Sequence, residues 1–112
     1  MENTIRLYFE AWLKNDLDVI KRVFAENIVY TECYGPEYRG ISQIVKWFVE
    51  WNKRGKVLEW TIKRVIQQNR TLVVEWFFKN EYDGAVDEFD GVSIVDFDDD
   101  MKILNNQFQY SY

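Results

Sequence analysis

The pattern of apolar and polar residues near the start of the chain predicts a helical hairpin. Apolar side chains recur at spacings of three and four, which places them on one face of a helix over residues 3–13. They are Ile5, Tyr8, Phe9 and Trp12. Asn15 interrupts this pattern, and Asp16 can cap a second, short helix because its side chain can accept a backbone N–H. The apolar residues of that second helix are Leu17, Ile20, Val23 and Phe24.

A first strand and a third helix are predicted next. Residues 28–34 are rich in β-branched and aromatic side chains and end at Gly35 and Pro36, where a strand would stop. Helical spacing resumes after Gly40, in Ile41, Ile44, Val45, Phe48 and Trp51. Gly55 is expected to end this helix, since glycine readily closes a helical C-terminus.

From Lys56 onward the apolar period changes to two, which predicts long strands. The four runs are residues 57–67, 72–82, 87–97 and 103–110. Turn-forming residues separate them, namely Asn69-Arg70, Asp83-Gly84 and Asp98-Asp99-Asp100. Hairpin spacing makes an antiparallel meander the simplest pairing, so the fold class is α+β.

Both faces of the predicted strands carry large apolar side chains. One face of the second long run has Val74, Trp76 and Phe78, and the opposite face has Val73 and Phe77. The third long run repeats this, with Phe89, Val95 and Phe97 on one face and Val92 and Ile94 on the other. Three helices can cover only one side of a sheet of four or five strands. We therefore expect a homodimer through the second face.

Length, cysteine content and charge narrow the class of protein. A chain of 112 residues predicts a single domain over 1–112. Cys33 is the only cysteine, and neither a signal-peptide core nor a membrane-spanning run is apparent, so a cytoplasmic protein without a membrane partner is expected. The net charge of −5, with scattered cations, argues against a nucleic-acid partner.

The sequence offers little for metal or cofactor binding. It has no histidine, which removes the commonest general base and the commonest zinc ligand. The acidic turn at residues 96–100 lacks the glycine and the glutamate of a calcium-binding loop, since Met101 and Gln107 occupy those positions. We expect no metal and no cofactor, so acid–base chemistry would depend on carboxylates, Tyr, Lys or Cys33.

Five segments occur in a recognisable order: Tyr8 to Trp12, Asp16-Leu17-Asp18, Phe24-Ala25-Glu26, residues 32–40, and Phe97 to Ile103. In that order the chain resembles the nuclear transport factor two-like superfamily, and within it the SnoaL-like polyketide cyclases and ketosteroid isomerases. The resemblance covers essentially the whole chain. It implies a cone, in which a curved antiparallel or mixed sheet packs on three N-terminal helices and encloses an apolar pocket. It implies no single function, because members include isomerases, dehydratases, cyclases, epoxide hydrolases and silent binding modules.

Glu32 is the first candidate catalytic residue. By alternation it shares a strand face with Ile28, Tyr30 and Tyr34. A lone carboxylate among apolar neighbours is desolvated, which raises its pKa toward the range of a general base. The resemblance, counted from Gly35, also puts Glu32 where ketosteroid isomerases have their catalytic aspartate. The alternative is a carboxylate that points to solvent or pairs with Arg39.

Tyr8 is the second candidate catalytic residue. It lies eight residues before Asp16, and the resemblance implies that a tyrosine at this spacing donates a hydrogen bond to a developing oxyanion. The alternative is a core aromatic residue. The resemblance further matches Ser93 to a protonated aspartate of the isomerases. A serine hydroxyl is a weaker donor, so steroid isomerisation by that arrangement is not expected.

The predicted pocket would hold a small apolar ligand between aromatic walls. Its expected lining residues are Trp12, Tyr30, Trp51, Trp60, Trp76, Phe78, Ser93, Asn106, Phe108 and Tyr110. Asn106 could orient a polar group of the ligand, or could simply cover an exposed strand. Trp47 is expected nearer the helix flank. All of these aromatic residues could equally belong to a core or an interface.

Three functions remain open at this point. The first is a cofactor-independent isomerase, cyclase or lyase that uses Glu32 as base and Tyr8 as donor on a small apolar carbonyl compound. The second is a non-catalytic ligand-binding or dimerisation module. The third is a structural dimer whose cone is filled by its own aromatic residues. Convergence of Glu32 and Tyr8 on a cavity would favour the first.

Overall fold

Three helices form one layer of the molecule. In the computed structural model, which describes the backbone of residues 1–32 and 35–111 and the side chains of 1–32 and 35–107, α1 spans Glu2–Lys14, α2 spans Leu17–Val23 and α3 spans Ile41–Arg54. α1 ends at Asn15 in the left-handed conformation, and the Asp16 side chain caps α2 by accepting the Val19 N–H at 3.3 Å. The predicted helices, their break and this cap are confirmed.

Six strands form the second layer. They are β1 Phe24–Thr31, β2 Glu37–Arg39, β3 Gly55–Gln68, β4 Thr71–Tyr82, β5 Ala85–Phe97 and β6 Ile103–Ser111. Their order in the sheet is β2-β1-β6-β5-β4-β3. The predicted meander of four long strands is confirmed, and β1 joins it by pairing parallel to β6.

The first strand begins earlier than its composition predicted. Phe24, expected in the second helix, has an extended backbone and pairs with Ile103 of β6, so α2 stops at Val23. The strand ends at Thr31, and Cys33 and Tyr34 lie outside the described residues. The short strand β2 was not predicted, and it pairs antiparallel with β1 through Tyr30 and Tyr38. The sheet therefore has six strands instead of four or five.

The inner face of the sheet packs on the helices. Every second residue of β4 points inward, so Leu72, Val74 and Trp76 are buried, and β5 continues the same layer with Val95 and Phe97. Helix α1 adds Ile5, Tyr8, Phe9 and Trp12 to this core. The result is three helices on a curved, unclosed, mixed sheet, which confirms the predicted cone-shaped α+β fold.

The outer face of the sheet carries an apolar strip across three strands. Ile66 of β3 pairs with Val73 of β4, and Val73 pairs with Ile94 of β5. Ile66 and Ile94 are 49% and 43% exposed, which is high for side chains of this size. Ion pairs flank the strip, among them Arg64 with Glu75 and Lys63 with Asp90.

None of the described helices combines the length and the hydrophobicity that crossing a bilayer would require.

Candidate functional site

A cavity of about 270 Å³ lies between the helices and the inner face of the sheet. Seven of the predicted site residues lie in its wall: Trp12, Tyr30, Glu32, Trp51, Trp60, Trp76 and Phe78. A cavity of this size is slightly below the usual range for drug-sized ligands, so it suits a compact molecule. The aromatic side chains therefore surround an open space instead of filling the cone.

Glu32 directly follows β1 at the cavity wall. Two backbone hydrogen bonds hold it: its N–H donates to the Pro36 carbonyl at 3.2 Å, and its own carbonyl accepts from the Gly35 N–H. Burial raises the pKa of this carboxyl above its usual value of 4.5. The alternative was a pair between Glu32 and Arg39; among the described salt bridges Arg39 pairs with Glu37, at 3.1 Å, and not with Glu32.

Tyr8 lies behind the cavity wall instead of on it. Its ring packs in the core against Phe24 and Trp60, with centroids 5.2 and 5.6 Å away. The pKa of its hydroxyl is raised chiefly by burial; the neighbouring Tyr30 hydroxyl and Trp12 indole lower it, and the negative charge of Glu32 raises it further. No partner among the described residues meets hydrogen-bond geometry for this hydroxyl. The charge of Glu32 thus acts on the Tyr8 hydroxyl, and the neighbouring Tyr30, unlike Tyr8, lines the cavity.

Ser93 and Asn106 are buried in the interior, 5% and 2% exposed, but neither lies in the wall of the described cavity. Ser93 Oγ accepts a hydrogen bond from Trp76 Nε1 at 2.9 Å, so it fixes one wall of the cavity from behind. Asn106 Oδ1 has no hydrogen-bond partner among the described residues. The side chains of Phe108 and Tyr110, two further predicted lining residues, lie outside the described part of the chain.

Trp47 was predicted at the helix flank, and this prediction is wrong. Trp47 lines the cavity, stacks on Tyr38 with centroids 4.7 Å apart and planes at 15°, and contacts Tyr30 and Trp12 at 4.9 and 5.0 Å. The physical reason is its spacing, since Trp47 is four residues before Trp51 and shares its helix face. This spacing was available in the sequence.

Three further wall residues were not predicted: Asn80, Asp87 and Phe89. Asn80 follows Trp76 and Phe78 at intervals of two, so alternation along β4 puts it on the same face. The sheet register then brings in the other two, because Asn80 pairs with Asp87 and Phe78 pairs with Phe89. The alternation was visible in the sequence, whereas the register needed the structure.

An outer pocket adjoins the cavity and shares Glu32, Trp47 and Trp51 with it. This outer pocket also contains Glu50, Arg54 and Tyr82. The Arg54 guanidinium is held in place by Asp83, with Nε 2.9 Å from Oδ1, and it lies 5.6 Å from the centre of the Tyr82 ring. Arg54 is the cation among the described residues of this pocket, and it is therefore already paired.

The family is established by comparison with known proteins. A model of the SnoaL-like domain matches residues 5–105. The chain belongs to the SnoaL-like domain family. A comparison with curated proteins found no significant match.

Solved structures share the fold of this SnoaL-like domain over nearly its full length. A hypothetical protein from Catenulispora acidiphila with a ketosteroid isomerase-like fold, in complex with trimethylamine, is 17% identical; the match covers 96% of this chain and 85% of that one, with a TM-score of 0.85. An LEH-like epoxide hydrolase from M. tuberculosis is 15% identical, with coverages of 97% and 80% and a TM-score of 0.87. A candidate polyketide cyclase from Xanthomonas campestris is 16% identical, with coverages of 98% and 89% and a TM-score of 0.81.

At these identities the SnoaL-like likeness is one of fold. The three similar structures share the cone-shaped fold but their names do not point to one common function, so the activity of this chain has to be argued from its own cavity.

Proposed function

We propose that this SnoaL-like domain binds a small molecule in the aromatic cavity and that Glu32 acts there as a general base on a compact carbonyl compound. The observation that carries this proposal is the environment of Glu32. Its carboxyl lies in an aromatic wall, burial raises its pKa, and no described salt bridge includes it. A base works best when its pKa is near the working pH, and this burial moves Glu32 in that direction.

The proposed step is proton transfer next to a carbonyl group. Ionised Glu32 takes a proton from the carbon beside the carbonyl, and the electron pair of that C–H bond moves to make an enolate. If the substrate is a β,γ-unsaturated carbonyl compound, the enolate is conjugated with the C=C bond, and Glu32 returns the proton at the γ carbon, which gives the α,β-unsaturated isomer. Alternatively, the enolate carbon attacks a second carbonyl of the same molecule, which closes a ring, and Glu32 returns the proton to the alkoxide formed there. Neither route needs a cofactor, since no electrons leave the substrate.

The enolate oxygen needs a hydrogen-bond donor, and Tyr30 is the tyrosine among the described residues that line the cavity. Tyr30 is two residues before Glu32, so alternation puts both side chains on one face. Tyr8 is close behind Tyr30, and its electrostatic contact with Tyr30 and Glu32 supports a role in the same network. We therefore propose Tyr30 as the group that contacts the substrate and Tyr8 as the positioning residue behind it.

A binding module without chemistry is the second candidate, and Ser93 is the observation that favours it. The oxygen of Ser93 is engaged by the Trp76 indole, and Ser93 stands where the resemblance to ketosteroid isomerases would have a second acid. Without a second donor acid at this position, the cavity can hold a ligand without stabilising an enolate strongly.

Two further proposals concern the state of the protein. The strip of Ile66, Val73 and Ile94 supports a homodimer through the outer face of the sheet, because covering exposed apolar side chains with a second copy removes them from water and is favourable. The single Cys33 supports the reducing cytoplasm as its compartment.

The proposed function is tested by hydrogen exchange at a ketone. Cyclohexanone is incubated with the protein in heavy water, its binding is measured by tryptophan fluorescence, and the loss of its α-proton signals is followed by NMR. We expect exchange above the buffer rate that falls about 10²-fold or more in Glu32→Gln. Glu10→Gln is the matched control, since it removes the same charge from an exposed position of α1 and should keep the wild-type rate.

The outcomes separate the two candidates. Binding of cyclohexanone without exchange would favour the non-catalytic binding module over the enzyme. Exchange that persists in Glu32→Gln would remove Glu32 as the base.

A further inference from the structure

The charged side chains in the wall of the cavity are carboxylates. Glu32 and Asp87 are the charged residues among the described lining, and Glu50 adds a third carboxylate in the outer pocket. The cation of the outer pocket, Arg54, is held by Asp83 through two of its nitrogens. The chain as a whole has a net charge of −5. A ligand entering the cavity therefore meets a negative potential, which favours a cation and disfavours an anion.

The rings around this cavity form corners. Trp12 meets Trp51 at an interplanar angle of 84°, and Trp60 meets Trp76 at 83°. Two parallel plates would suit a flat ring, whereas walls at right angles enclose a rounded group. The face of an indole ring is its negative pole and attracts cations more strongly than the other aromatic rings do.

We propose that the cavity binds a small organic cation, a methylated ammonium group, between the indole walls with the Glu32 carboxylate as its counter-ion. Glu32 lacks a cationic partner among the described salt bridges, and a bound ammonium supplies one. A desolvated carboxylate gains most from a nearby positive charge, since little water screens the pair.

Methylation of the nitrogen follows from the scarcity of acceptors. An ammonium ion with several N–H groups needs as many acceptors when it leaves water, because burying an N–H group without an acceptor is unfavourable. The described wall consists mainly of aromatic side chains, and few of its residues offer an oxygen as acceptor: Tyr30, Glu32, Asn80 and Asp87. A nitrogen covered by methyl groups needs no acceptors and still keeps its charge.

This inference rests on the proposed binding of a small molecule in the cavity, and it is independent of the proton transfer. Choline and 3,3-dimethylbutan-1-ol are the matched probes, because they have the same shape and differ in a charged nitrogen against a neutral carbon. Binding of each is measured by tryptophan fluorescence and calorimetry. We expect choline to bind at least about tenfold more tightly than the alcohol.

Two variants assign the effect to the cavity. Glu32→Gln should reduce the choline-to-alcohol ratio several-fold, whereas Glu10→Gln, with the same change in net charge at an exposed site, should keep the wild-type ratio. Trp51→Leu keeps an apolar side chain and should weaken choline more than the alcohol. Circular dichroism of each variant confirms that it is folded, so that a lost ratio reports on the site.

The failures are distinguishable. Equal affinity for the two probes, or a preference for the alcohol, would overturn the cation inference and leave small-molecule binding intact. A ratio that survives in Glu32→Gln would overturn the counter-ion role of Glu32. If neither probe binds but cyclohexanone does, the inference alone is wrong; if none of the three binds, the proposed function fails as well.

Discussion

Gly91 is the residue that gives Trp76 room to form the cavity wall, and Gly91→Ala tests this packing. The two residues are cross-strand partners, Gly91 in β5 and Trp76 in β4. A Cβ at position 91 would lie 2.6 Å from Cζ2 and from Cζ3 of the Trp76 ring, and closer still to Cη2. Real carbon atoms do not approach so closely, so the indole must move or the strands must separate.

The cost of this clash is set by what holds the indole. Trp76 is 2% exposed, its ring meets Trp60 at 5.7 Å and Phe89 at 6.0 Å, and its Nε1 donates to Ser93 at 2.9 Å. Overpacking a tight site costs about 1–3 kcal/mol. Displacing the indole also breaks the Ser93 hydrogen bond, which costs about 1 kcal/mol. We therefore expect a loss of about 2–4 kcal/mol in the free energy of unfolding.

The assay is urea denaturation together with a thermal scan of the wild type and Gly91→Ala. At about 4 °C per kcal/mol for a domain of this size, the melting temperature should fall by about 8–16 °C. A double-mutant cycle with Trp76→Phe, which removes the ring carbons that clash, should give a combined loss smaller than the sum of the two single losses. A loss below about 0.5 kcal/mol in Gly91→Ala, outside the range expected for overpacking, or strict additivity with Trp76→Phe, would refute the reasoning.

Three other predictions concern the charge, the assembly and the metal content of the domain. Burial raises the pKa of Glu32 above 4.5, so the stability contributed by its protonated carboxyl is fully present below pH 4.5 and is lost as the pH rises through the folded-state pKa. Glutamine mimics the protonated form at every pH. In paired urea titrations, Glu32→Gln should therefore be more stable than the wild type at neutral pH but not at pH 4. Ile94→Lys puts a charge into the apolar strip, so sedimentation should give a dimer for the wild type and a monomer for the variant, and a monomeric wild type would contradict the proposed interface. Among the described residues no group of three or more metal-ligating side chains converges, so chelator treatment should leave the melting temperature unchanged; a lower melting temperature after chelation would reveal a metal requirement.

Local patterns were enough to predict most of the fold. The spacing from Ile5 to Trp12 fixed one face of α1, and Asp16 marked the start of α2 because a capping side chain acts within one turn. The long strands followed from alternation. The start of β1 could not be predicted, since Phe24 continues the apolar spacing of α2 and only its parallel pairing with β6 makes it a strand residue. Such a pairing joins distant parts of the chain.

The cavity wall was predictable wherever alternation or helical spacing decides the face of a residue. Alternation put Trp76 and Phe78 on one face of the sheet, and it could have added Asn80, as helical spacing could have added Trp47. Asp87 was not predictable, because its place depends on the register that pairs it with Asn80. The depth of Tyr8 behind Tyr30 was not predictable either, since both are inward-facing aromatic residues and only packing orders them.

The titration of the Glu32 carboxyl tests the central claim most directly. Carbon-detected NMR of the wild type, with Glu32→Gln to assign the signal, measures its pKa without knowledge of the ligand. The account predicts a value above 4.5 that falls when choline is bound, because burial disfavours the charged carboxylate and a cation restores it. A pKa at or below 4.5 in the free protein would mean that Glu32 is hydrated or already paired, and would contradict its place as a desolvated base in the cavity.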